Sequence, residues 1–388
     1  MPVTIEEAFA DFSLGLYREA CATPDDAVLS PAAVSLALFP AYVGCKYDAH
    51  TQIQEALLGS KATEKDTLKC FADLSKVVDK KVTSPALRVS NRIYSQNGFT
   101  ISDTYKRRLA NECGSCDVVS IDFSSSAVFD KDVNRWANES TGGKMKQIAS
   151  ADMFPLSTKM VILSAASFNG RWQCEFVSSD TSKRTFYSNP TSSSKIYMMK
   201  QTLQCMYGEN DACQVLQMDY TDKLMSLLIF LPKEKFGLKR FELNLSGAKI
   251  FNLINSVHRK AVKVVIPRFG LENSFSLKRS LLKMKITHVF NPDLADFTDM
   301  TTKRGLCISS VIHKAIIEVS EKGCEAAAVG FPSTAASLAV CMEPPKEFIA
   351  DHPFLFMVIE KCETLFVDDI EDLCHTMGYM NERSTNST

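Results

Sequence analysis

Cysteine and histidine are the residue types in this sequence that are most often used for nucleophilic, redox or metal chemistry. Cys113 and Cys116 have the C-x-x-C spacing of redox and zinc sites, but no second pair of cysteine or histidine ligands lies nearby. The six histidines lie far apart, at His50, His258, His288, His313, His352 and His375. We interpret the two cysteines as structural thiols, with a redox role as the alternative. The pattern indicates neither a catalytic set nor a metal site.

Motifs for other catalytic classes are also missing. The sequence contains no G-x-S-x-G nucleophile elbow, no H-E-x-x-H zinc helix and no Walker or dinucleotide glycine loop. Thr141–Met145, with the sequence TGGKM, has two glycines and a lysine but lacks the preceding strand that a phosphate-binding loop requires. We therefore predict a turn there. We also predict that the chain is not an enzyme and that it needs no metal or cofactor.

A segment near the C-terminal end has an unusual composition. Ala326–Met342 contains seventeen residues without a charge, most of them small or β-branched. A flexible linker is a poor interpretation, because a predicted core strand, DHPFLFMVIE, follows closely. An alanine-rich helix would be short, since Gly323, Gly330 and Pro332 bracket it. The composition suits a segment that is exposed in one state and lies within a sheet in another, where a buried charge would be costly.

Composition and charge indicate a globular protein. The chain has 388 residues, of which 45% are hydrophobic and 23% charged, and its net charge is -1. This balance gives no electrostatic case for a nucleic-acid partner. No run reaches the eighteen or so apolar residues that a membrane span needs, so we expect no membrane span.

The N-terminal sequence and the cysteines suggest a reducing compartment. Glu6 and Glu7 stand where a secretory signal would have a basic region, and Thr4 and Glu7 have the spacing of a capping box. Thirteen cysteines, an odd number scattered along the chain, do not resemble a disulfide framework. We expect a cytoplasmic protein, with export by an unconventional route as the alternative.

The elements that position these residues change in type along the chain. The first 150 residues are mainly helical in pattern, and Ser30 and Pro31 have the types preferred at a helix start. After Lys159, short β-branched or aromatic runs predict strands: KMVILSAASF, KLMSLLIFLP, KAVKVVIPRF, VIHKAIIEVS and PFLFMVIE. The pattern predicts an α+β fold in one domain over residues 1–380, followed by a polar C-terminal tail, 381–388.

Ten motifs in register resemble those of the serpins over nearly the whole chain. EVSEKGCEAAAVG resembles the hinge of the family, and SFNGRWQCEF resembles its breach segment. The other motifs are LSPAAVSLAL, SNRIY, VNRWANESTGGKM, YMMKQ, SLLIFLP, VIPRF, VIHKA and DHPFLF. The resemblance implies a serpin fold with three β-sheets, about nine helices and an exposed reactive-centre loop at about 321–345.

The resemblance also implies a function. Serpins of the inhibitory type act on serine proteases as suicide substrates: the loop is cut, an acyl-enzyme forms, and the loop inserts into the main sheet and traps the protease. For this chain we expect a monomer whose partner is a serine protease held in a covalent acyl complex, with a cysteine protease as a further partner class. The alternative is a non-inhibitory serpin, a carrier, storage protein or chaperone whose loop is cut without trapping.

Three groups of residues match functional positions of the family. The hinge matches at Glu321, Gly323, Cys324, Glu325, Ala326, Ala327 and Ala328, with cysteine at 324 where threonine or serine is usual. The breach, where insertion begins, matches at Trp172, Arg268 and Glu321, which predicts an Arg268–Glu321 ion pair. The shutter, the polar network beneath the sheet, matches at Ser30 and His313, but Ser164 replaces an asparagine and Ala33 a serine. The resemblance therefore implies a thinner shutter network.

The scissile bond follows one of the residues from Ser337 to Met342, because two ways of counting give different positions. Counting seventeen residues inclusive from Glu321 gives Ser337–Leu338, whereas counting back from His352 gives Met342–Glu343. No Arg or Lys lies between Lys322 and Lys346, so we expect an elastase-like or chymotrypsin-like target. Some serpins bind glycosaminoglycans through a basic helix. Here acidic residues lie among the corresponding lysines, so we predict a solvated face of both charges and no glycosaminoglycan cofactor. These lysines are Lys61, Lys65, Lys69, Lys76, Lys80 and Lys81.

Overall fold

The computed structural model describes residues 4–21, 26–79, 86–113, 116–221, 224–322, 344–360 and 374–380. Within these ranges there are nine α-helices. In chain order they are α1 (Ile5–Ala20), α2 (Pro31–Gly44), α3 (Tyr47–Leu58), α4 (Glu64–Asp79), α5 (Asp103–Cys113), α6 (Ser126–Ser140), α7 (Leu238–Asn244), α8 (Gly247–Asn255) and α9 (Lys278–Lys283).

The same ranges contain fourteen strands. They are β1 (Ala27–Leu29), β2 (Leu87–Gln96), β3 (Cys116–Ile121), β4 (Met160–Phe168), β5 (Ser182–Asn189), β6 (Ser192–Glu209), β7 (Cys213–Asp219), β8 (Met225–Pro232), β9 (His258–Pro267), β10 (Phe269–Ser276), β11 (Ser310–Val319), β12 (Lys346–Ile349), β13 (Phe354–Glu360) and β14 (Cys374–Met380).

Two helix starts follow directly from local side-chain chemistry. The Thr4 hydroxyl accepts a hydrogen bond from the Glu7 amide and the Glu7 carboxylate accepts one from the Thr4 amide, so the predicted capping box begins α1. Ser30 caps α2, with Pro31 at its first position. All fourteen residues of α2 are buried. This helix therefore lies inside the molecule, beneath the sheet that carries the candidate site.

A five-stranded sheet has the order β10-β11-β4-β2-β3. Its central strands β4 and β11 run parallel, while β10 is antiparallel to β11 and β2 is antiparallel to β4. Helix α6 covers one face, where Val133, Trp136 and Ala137 share a core with residues of β4 and β11. The opposite face packs toward the second sheet, because Ala166, Phe168 and Ile317 belong to the same core cluster as residues of β8, β9 and β13.

A nine-stranded sheet forms the second layer, with the order β1-β14-β13-β8-β7-β6-β9-β12 and β5 paired to β6. The three sheets implied by the resemblance are connected here as two hydrogen-bonded sheets. The reason is the length of β6, whose eighteen residues pair with β5 at one end, with β7 at the other and with β9 between them. The predicted α+β class is confirmed.

The helical pattern of the first 150 residues did not predict β2 and β3. Strand β2, LRVSNRIYSQ, includes arginine, serine and asparagine, so its sequence lacks the continuous apolar run of β4 or β8. Its strand conformation depends on pairing with β4 on one side and with β3 on the other. The five predicted strand runs correspond to β4, β8, β9, β11 and β13.

Candidate functional site

The junction between β4 and β11, called the seam from here on, is an unusual feature of the five-stranded sheet. The two strands pair in parallel at eight positions, from Ser310 opposite Val161 to Ile317 opposite Phe168. The chain leaves β11 and continues to Lys322, and the next described residue is Pro344. A segment that turned back after Lys322 into the seam would run antiparallel to both strands. The sheet can therefore accept one more strand without reversing any existing one.

Burial on both faces of the seam sets what such a strand can contain. All nine residues of β4 are buried, and seven of the ten residues of β11 are buried. An inserted strand would lie between helix α6 and the nine-stranded sheet, so its side chains would be covered on either side. This environment is the one that the uncharged composition of Ala326–Met342 fits, because an unpaired charge there would be strongly destabilising.

A buried polar cluster crosses the seam at its centre. The Ser30 backbone amide donates to His313 Nε2 at 3.0 Å, and His313 Nδ1 lies 3.0 Å from Ser164 Oγ. Because Nε2 accepts a hydrogen bond, the proton of the neutral ring belongs on Nδ1, from which it is donated to the Ser164 hydroxyl. Ser164 and His313 are register partners on β4 and β11. The three predicted shutter residues thus join both seam strands to the start of α2.

Burial determines the protonation state of this histidine. His313 is fully buried, and burial lowers its pKa from 6.5 to about 3, while the Ser164 backbone acts in the opposite direction. The imidazole is therefore neutral at physiological pH. A charged imidazolium would leave the Ser30 amide facing another donor, so the hydrogen-bonded arrangement needs the neutral ring.

Asn91 is a member of this cluster that the sequence reasoning missed. It lies on β2 opposite Ser164, and its side-chain amide donates to the Ala33 carbonyl at 3.2 Å. The Ser30 hydroxyl accepts from the Ala33 amide at 3.2 Å, so Ala33 takes part through its backbone although it has no hydroxyl of its own. The motif SNRIY contained Asn91, but nothing in the sequence pairs it with a residue 58 positions away.

The breach residues lie where the chain leaves β11. Trp172 is 1% exposed, and its indole Nε1 donates to the Ser320 carbonyl at 2.8 Å. The Phe176 amide donates to the Glu321 carbonyl at 2.9 Å. Trp172 also stacks on Tyr220, with ring centroids 4.5 Å apart. Hydrogen bonds to backbone carbonyls therefore hold Ser320 and Glu321 in place, and Tyr220 is a second aromatic support that the sequence did not indicate.

The structure brings Arg268 and Glu321 together. Arg268 Nη1 lies 3.9 Å from Glu321 Oε2, and the arginine side chain is 46% exposed. This separation is too long for a hydrogen bond, and half-exposed ion pairs contribute about 0–1 kcal/mol. The pair lies in the predicted position, but the Trp172 and Phe176 hydrogen bonds hold this part of the chain more firmly.

Most of the predicted hinge and both candidate scissile bonds lie outside the described residues. Of the hinge, only Glu321 is described. The hinge residues outside the described ranges are Gly323, Cys324, Glu325, Ala326, Ala327 and Ala328, and the scissile-bond candidates are Ser337, Leu338, Met342 and Glu343. The two described ends of this segment are Lys322, at the top of β11, and Pro344, just before β12.

A second polar cluster fastens helix α6 to the sheet that it covers. The Arg92 guanidinium lies 5.2 Å from the ring centre of Trp136, 3.4 Å from Asp117 and 3.9 Å from Asp132. The Tyr94 hydroxyl donates to Asp132 at 3.2 Å. Arg92 and Tyr94 belong to β2, whereas Asp132 and Trp136 belong to α6. The cluster therefore holds α6 on the β2 side of the seam.

The remaining sequence candidates do not form a second site. Among the described residues no three histidine, cysteine or acidic side chains are grouped as metal ligands, and no helix there is long and apolar enough to cross a bilayer. The cysteine side chains that the structure describes are free thiols, and burial raises the pKa of Cys21, Cys45 and Cys70 to about 12. Thr141–Gly143 form the predicted turn after α6, with φ of 65° at Gly142 and 85° at Gly143.

Comparison with known proteins shows which family this chain resembles. The family described as serpin (serine protease inhibitor) matches residues 7–371. A leukocyte elastase inhibitor of Xenopus laevis is 32% identical over 338 residues, covering 85% of this chain and 88% of the relative. Intracellular coagulation inhibitor 2 of Tachypleus tridentatus is 30% identical, covering 95% of this chain and 91% of the relative.

A solved structure supports the same assignment. The structure of a tumour suppressing serpin superposes with a TM-score of 0.84 at 22% identity, covering 98% of this chain and 99% of the other, which shows the fold alone. A family match over nearly the whole chain and a relative at 32% identity go further than the shared fold. The chain belongs to the serpin family.

Proposed function

We propose that this chain is a suicide-substrate inhibitor of serine proteases, acting as one monomeric domain over residues 1–380. The observation that carries the proposal is the seam. Two buried parallel strands lie side by side, and the chain that leaves one of them is uncharged over seventeen residues from Ala326. A loop with this composition can be a substrate while it is exposed and a central strand after it has been cut.

The chemistry of trapping follows from ordinary acyl transfer. The serine hydroxyl of the protease attacks the carbonyl of the scissile bond, the amine of the following residue leaves with a proton, and an ester joins the protease to the new C-terminus. Insertion of about fifteen residues then carries this ester roughly 50 Å along the sheet. Inhibition succeeds when insertion is faster than attack of water on the ester.

New backbone pairing supplies the driving force. A strand in the seam makes hydrogen bonds to both β4 and β11 and replaces the existing pairing between them, so one additional ladder is gained. At about 1 kcal/mol for each net hydrogen bond, the gain is on the order of 10 kcal/mol. The intact chain can hold this energy only behind a kinetic barrier. The Ser30–His313–Ser164 cluster and helix α6 are the structural elements that must yield, because the first crosses the seam and the second covers it.

The residues of the loop limit which proteases can cut it. The absence of Arg and Lys between Lys322 and Lys346 disfavours enzymes whose pockets require a basic residue. Leu338 or Met342 before the scissile bond suits a chymotrypsin-like pocket, whereas Ser337 suits an elastase-like one. The relative from Xenopus laevis is named as an elastase inhibitor, which agrees with this class. A cysteine protease would form a thioester at the same carbonyl and is a further partner class.

Titration with chymotrypsin and with pancreatic elastase tests the proposal. We expect a covalent complex that survives SDS, together with a small C-terminal fragment. N-terminal sequencing of that fragment identifies the scissile bond within 337–343, where the two counts give Ser337–Leu338 and Met342–Glu343. Cleavage of the whole sample with no SDS-stable complex would contradict inhibition.

A non-inhibitory serpin is the second candidate. The observation that favours it is the thin shutter network, in which Ala33 lacks a hydroxyl and Ser164 is shorter than the asparagine implied by the family resemblance. A carrier, storage protein or chaperone of this kind would be cut in the loop and would release an active protease. The same titration distinguishes the two candidates, because residual protease activity falls to zero only for the inhibitor.

A further inference from the structure

An exposed face of the nine-stranded sheet combines cations with tyrosines. Lys183 on β5 lies opposite Tyr197 on β6, and Lys195 lies opposite Thr185, so alternate positions of the two strands share one face. Tyr197 is 43% exposed, with the Lys183 ammonium 5.2 Å and the Arg268 guanidinium 5.1 Å from its ring centre. We call this face the cation–tyrosine patch, and its members are Lys183, Tyr187, Lys195, Tyr197, Lys235 and Arg268.

Acidic neighbours neutralise only part of this patch. Glu321 lies 3.9 Å from Arg268, and Asp351 lies 3.3 Å from Lys235, which also contacts Tyr187. Lys195 donates to the Thr185 hydroxyl at 2.9 Å. Two further charges adjoin the patch, Asp180 in the turn before β5 and Arg184 on the other face of β5. The described residues of this region therefore have two more cations than carboxylates, on a chain whose net charge is -1.

The patch lies beside one described end of the loop and belongs to the same sheet as the other end. Arg268 follows β9 and contacts Glu321, where the chain leaves β11, and Val262 of β9 pairs with Lys346, where the chain returns. Ser182, Met198 and Pro267 are register partners across β5, β6 and β9, which places β5 about 10 Å from β9. A protease domain of about 230 residues has a radius of gyration of about 17 Å, so a protease bound to the loop would extend over the patch.

We propose that the cation–tyrosine patch is a second docking surface for the target protease, and that it selects enzymes with an acidic surface next to the substrate cleft. This inference rests on the proposed function and adds a partner property that the loop sequence does not specify. The local positive excess attracts an acidic surface, and the two half-exposed tyrosines provide apolar contact once it has docked. Charges at the rim of an interface act mainly on the association rate.

The test compares two forms of one protease that have the same substrate pocket and different surface charges. Chymotrypsin and chymotrypsin whose lysines have been succinylated share a substrate cleft, and the second enzyme has carboxylates in place of amines. We expect the unmodified inhibitor to associate faster with the succinylated enzyme at low ionic strength. The double variant Lys183→Glu, Lys195→Glu should lose that preference, with an association rate lower by about tenfold. The variant Lys65→Glu, Lys69→Glu on α4, with the same change in charge, should retain the preference.

A second readout separates this inference from the trapping mechanism. Both chymotrypsin forms can be converted to the anhydro enzyme, which binds a loop without cutting it, and their affinities measured by surface plasmon resonance. Preferential binding of the succinylated anhydro enzyme, abolished in the Lys183→Glu, Lys195→Glu variant alone, supports docking even if no covalent complex forms. The inference would be overturned if the two forms bound equally or if neither bound. It would also be overturned if the only effect of the variant were loss of retention on a sulfated-glycan column.

Discussion

His313 is a fully buried titratable side chain on β11, one of the two strands that insertion would separate, and it lies opposite Ser164 on the other strand. The hydrogen bond from the Ser30 amide needs the unprotonated Nε2 of the neutral ring, whose Nδ1 donates to the Ser164 hydroxyl. The seam is therefore held by a group whose charge state depends on its burial. Separating β4 from β11 breaks the contact with Ser164, so in the proposed mechanism this contact would contribute to the barrier against insertion.

The lowered pKa of His313 predicts a loss of stability in mild acid. The folded histidine stays neutral down to about pH 3, whereas the unfolded one binds a proton below about 6.5. The full contribution is present above pH 6.5 and declines as the pH falls, by up to about 1.4 kcal/mol per pH unit. We expect the free energy of unfolding to fall by about 2 kcal/mol between pH 6.5 and 5 through this group.

Urea unfolding of the wild type and of His313→Gln at several pH values measures this contribution. Glutamine can accept from the Ser30 amide and donate to Ser164, but it does not titrate. Burial also lowers the pKa of His50, and that contribution is common to both proteins. The variant should therefore lose less stability in acid than the wild type. Parallel pH profiles for the two proteins would show that His313 is not the titrating group.

At the scale of residues, the sequence predicted those members of the site whose positions match the family motifs. Ser30, Ser164 and His313 matched the shutter, and the structure places both serines within hydrogen-bonding distance of His313. Asn91 and Tyr220 were not predicted, because their contacts to Ala33 and Trp172 join distant parts of the chain. A single sequence does not show such pairs.

At the scale of elements, helix α6 covers the seam and must move before a strand can enter beneath it. Val133 and Trp136 of α6 pack against the same core as Leu163 of β4 and Ile312 of β11. The Arg92 cluster fastens the helix to β2, which is on one side of the seam. We infer that α6 can lift from the β11 side while Arg92 still holds it to β2.

Arg92→Ala should loosen α6 without unfolding the protein. The cation–π contact and the two ion pairs together contribute about 1 kcal/mol, so amide exchange of α6 should become about fivefold faster. The uncut variant should also convert to an inserted form sooner on mild heating. Arg108→Ala, which removes an ion pair to Glu112 within α5, is the matched control. Equal α6 exchange in the two variants would contradict this role for Arg92.

A charge introduced into the segment that is proposed to insert gives a separate prediction. Ala327→Arg places a charge on a segment that would be buried on both faces, so insertion should slow while cleavage of the exposed loop continues. We expect the stoichiometry of inhibition to rise several-fold and cleaved, uncomplexed protein to accumulate on SDS gels. Pro345→Arg, which lies after both candidate bonds, should leave the stoichiometry unchanged. An Ala327→Arg variant that traps protease as efficiently as the wild type would exclude insertion through this residue.

Elements were predictable from the sequence where their signals are local. The caps of α1 and α2 depend on residues three positions apart or fewer, and β4 and β8 are continuous apolar runs. Strands β2 and β3 were missed, because β3 has only one buried residue and β2 contains polar ones. The parallel pairing of β4 with β11 could not be predicted from the sequence either, because the two strands lie about 150 residues apart in the chain.

At the scale of the whole molecule, the proposed mechanism requires that the intact chain be less stable than its cut and inserted form. The five-stranded sheet has a seam with two pairing partners already in place, and the connected segment has the composition to fill it. The energy gained by pairing, on the order of 10 kcal/mol, is comparable with the whole net stability of a typical domain. The difference between the two forms should therefore be visible in thermal unfolding.

The most direct test is calorimetry of the intact protein and of protein cut once within 337–343. Strand insertion predicts that the cut form melts at least 20 °C higher than the intact form, because a ΔΔG of 1 kcal/mol shifts Tm by roughly 2 °C in a chain of this size. The backbone amides in the seam should also become protected from hydrogen exchange. Equal melting temperatures, with the cut segment still exchanging freely, would contradict the account.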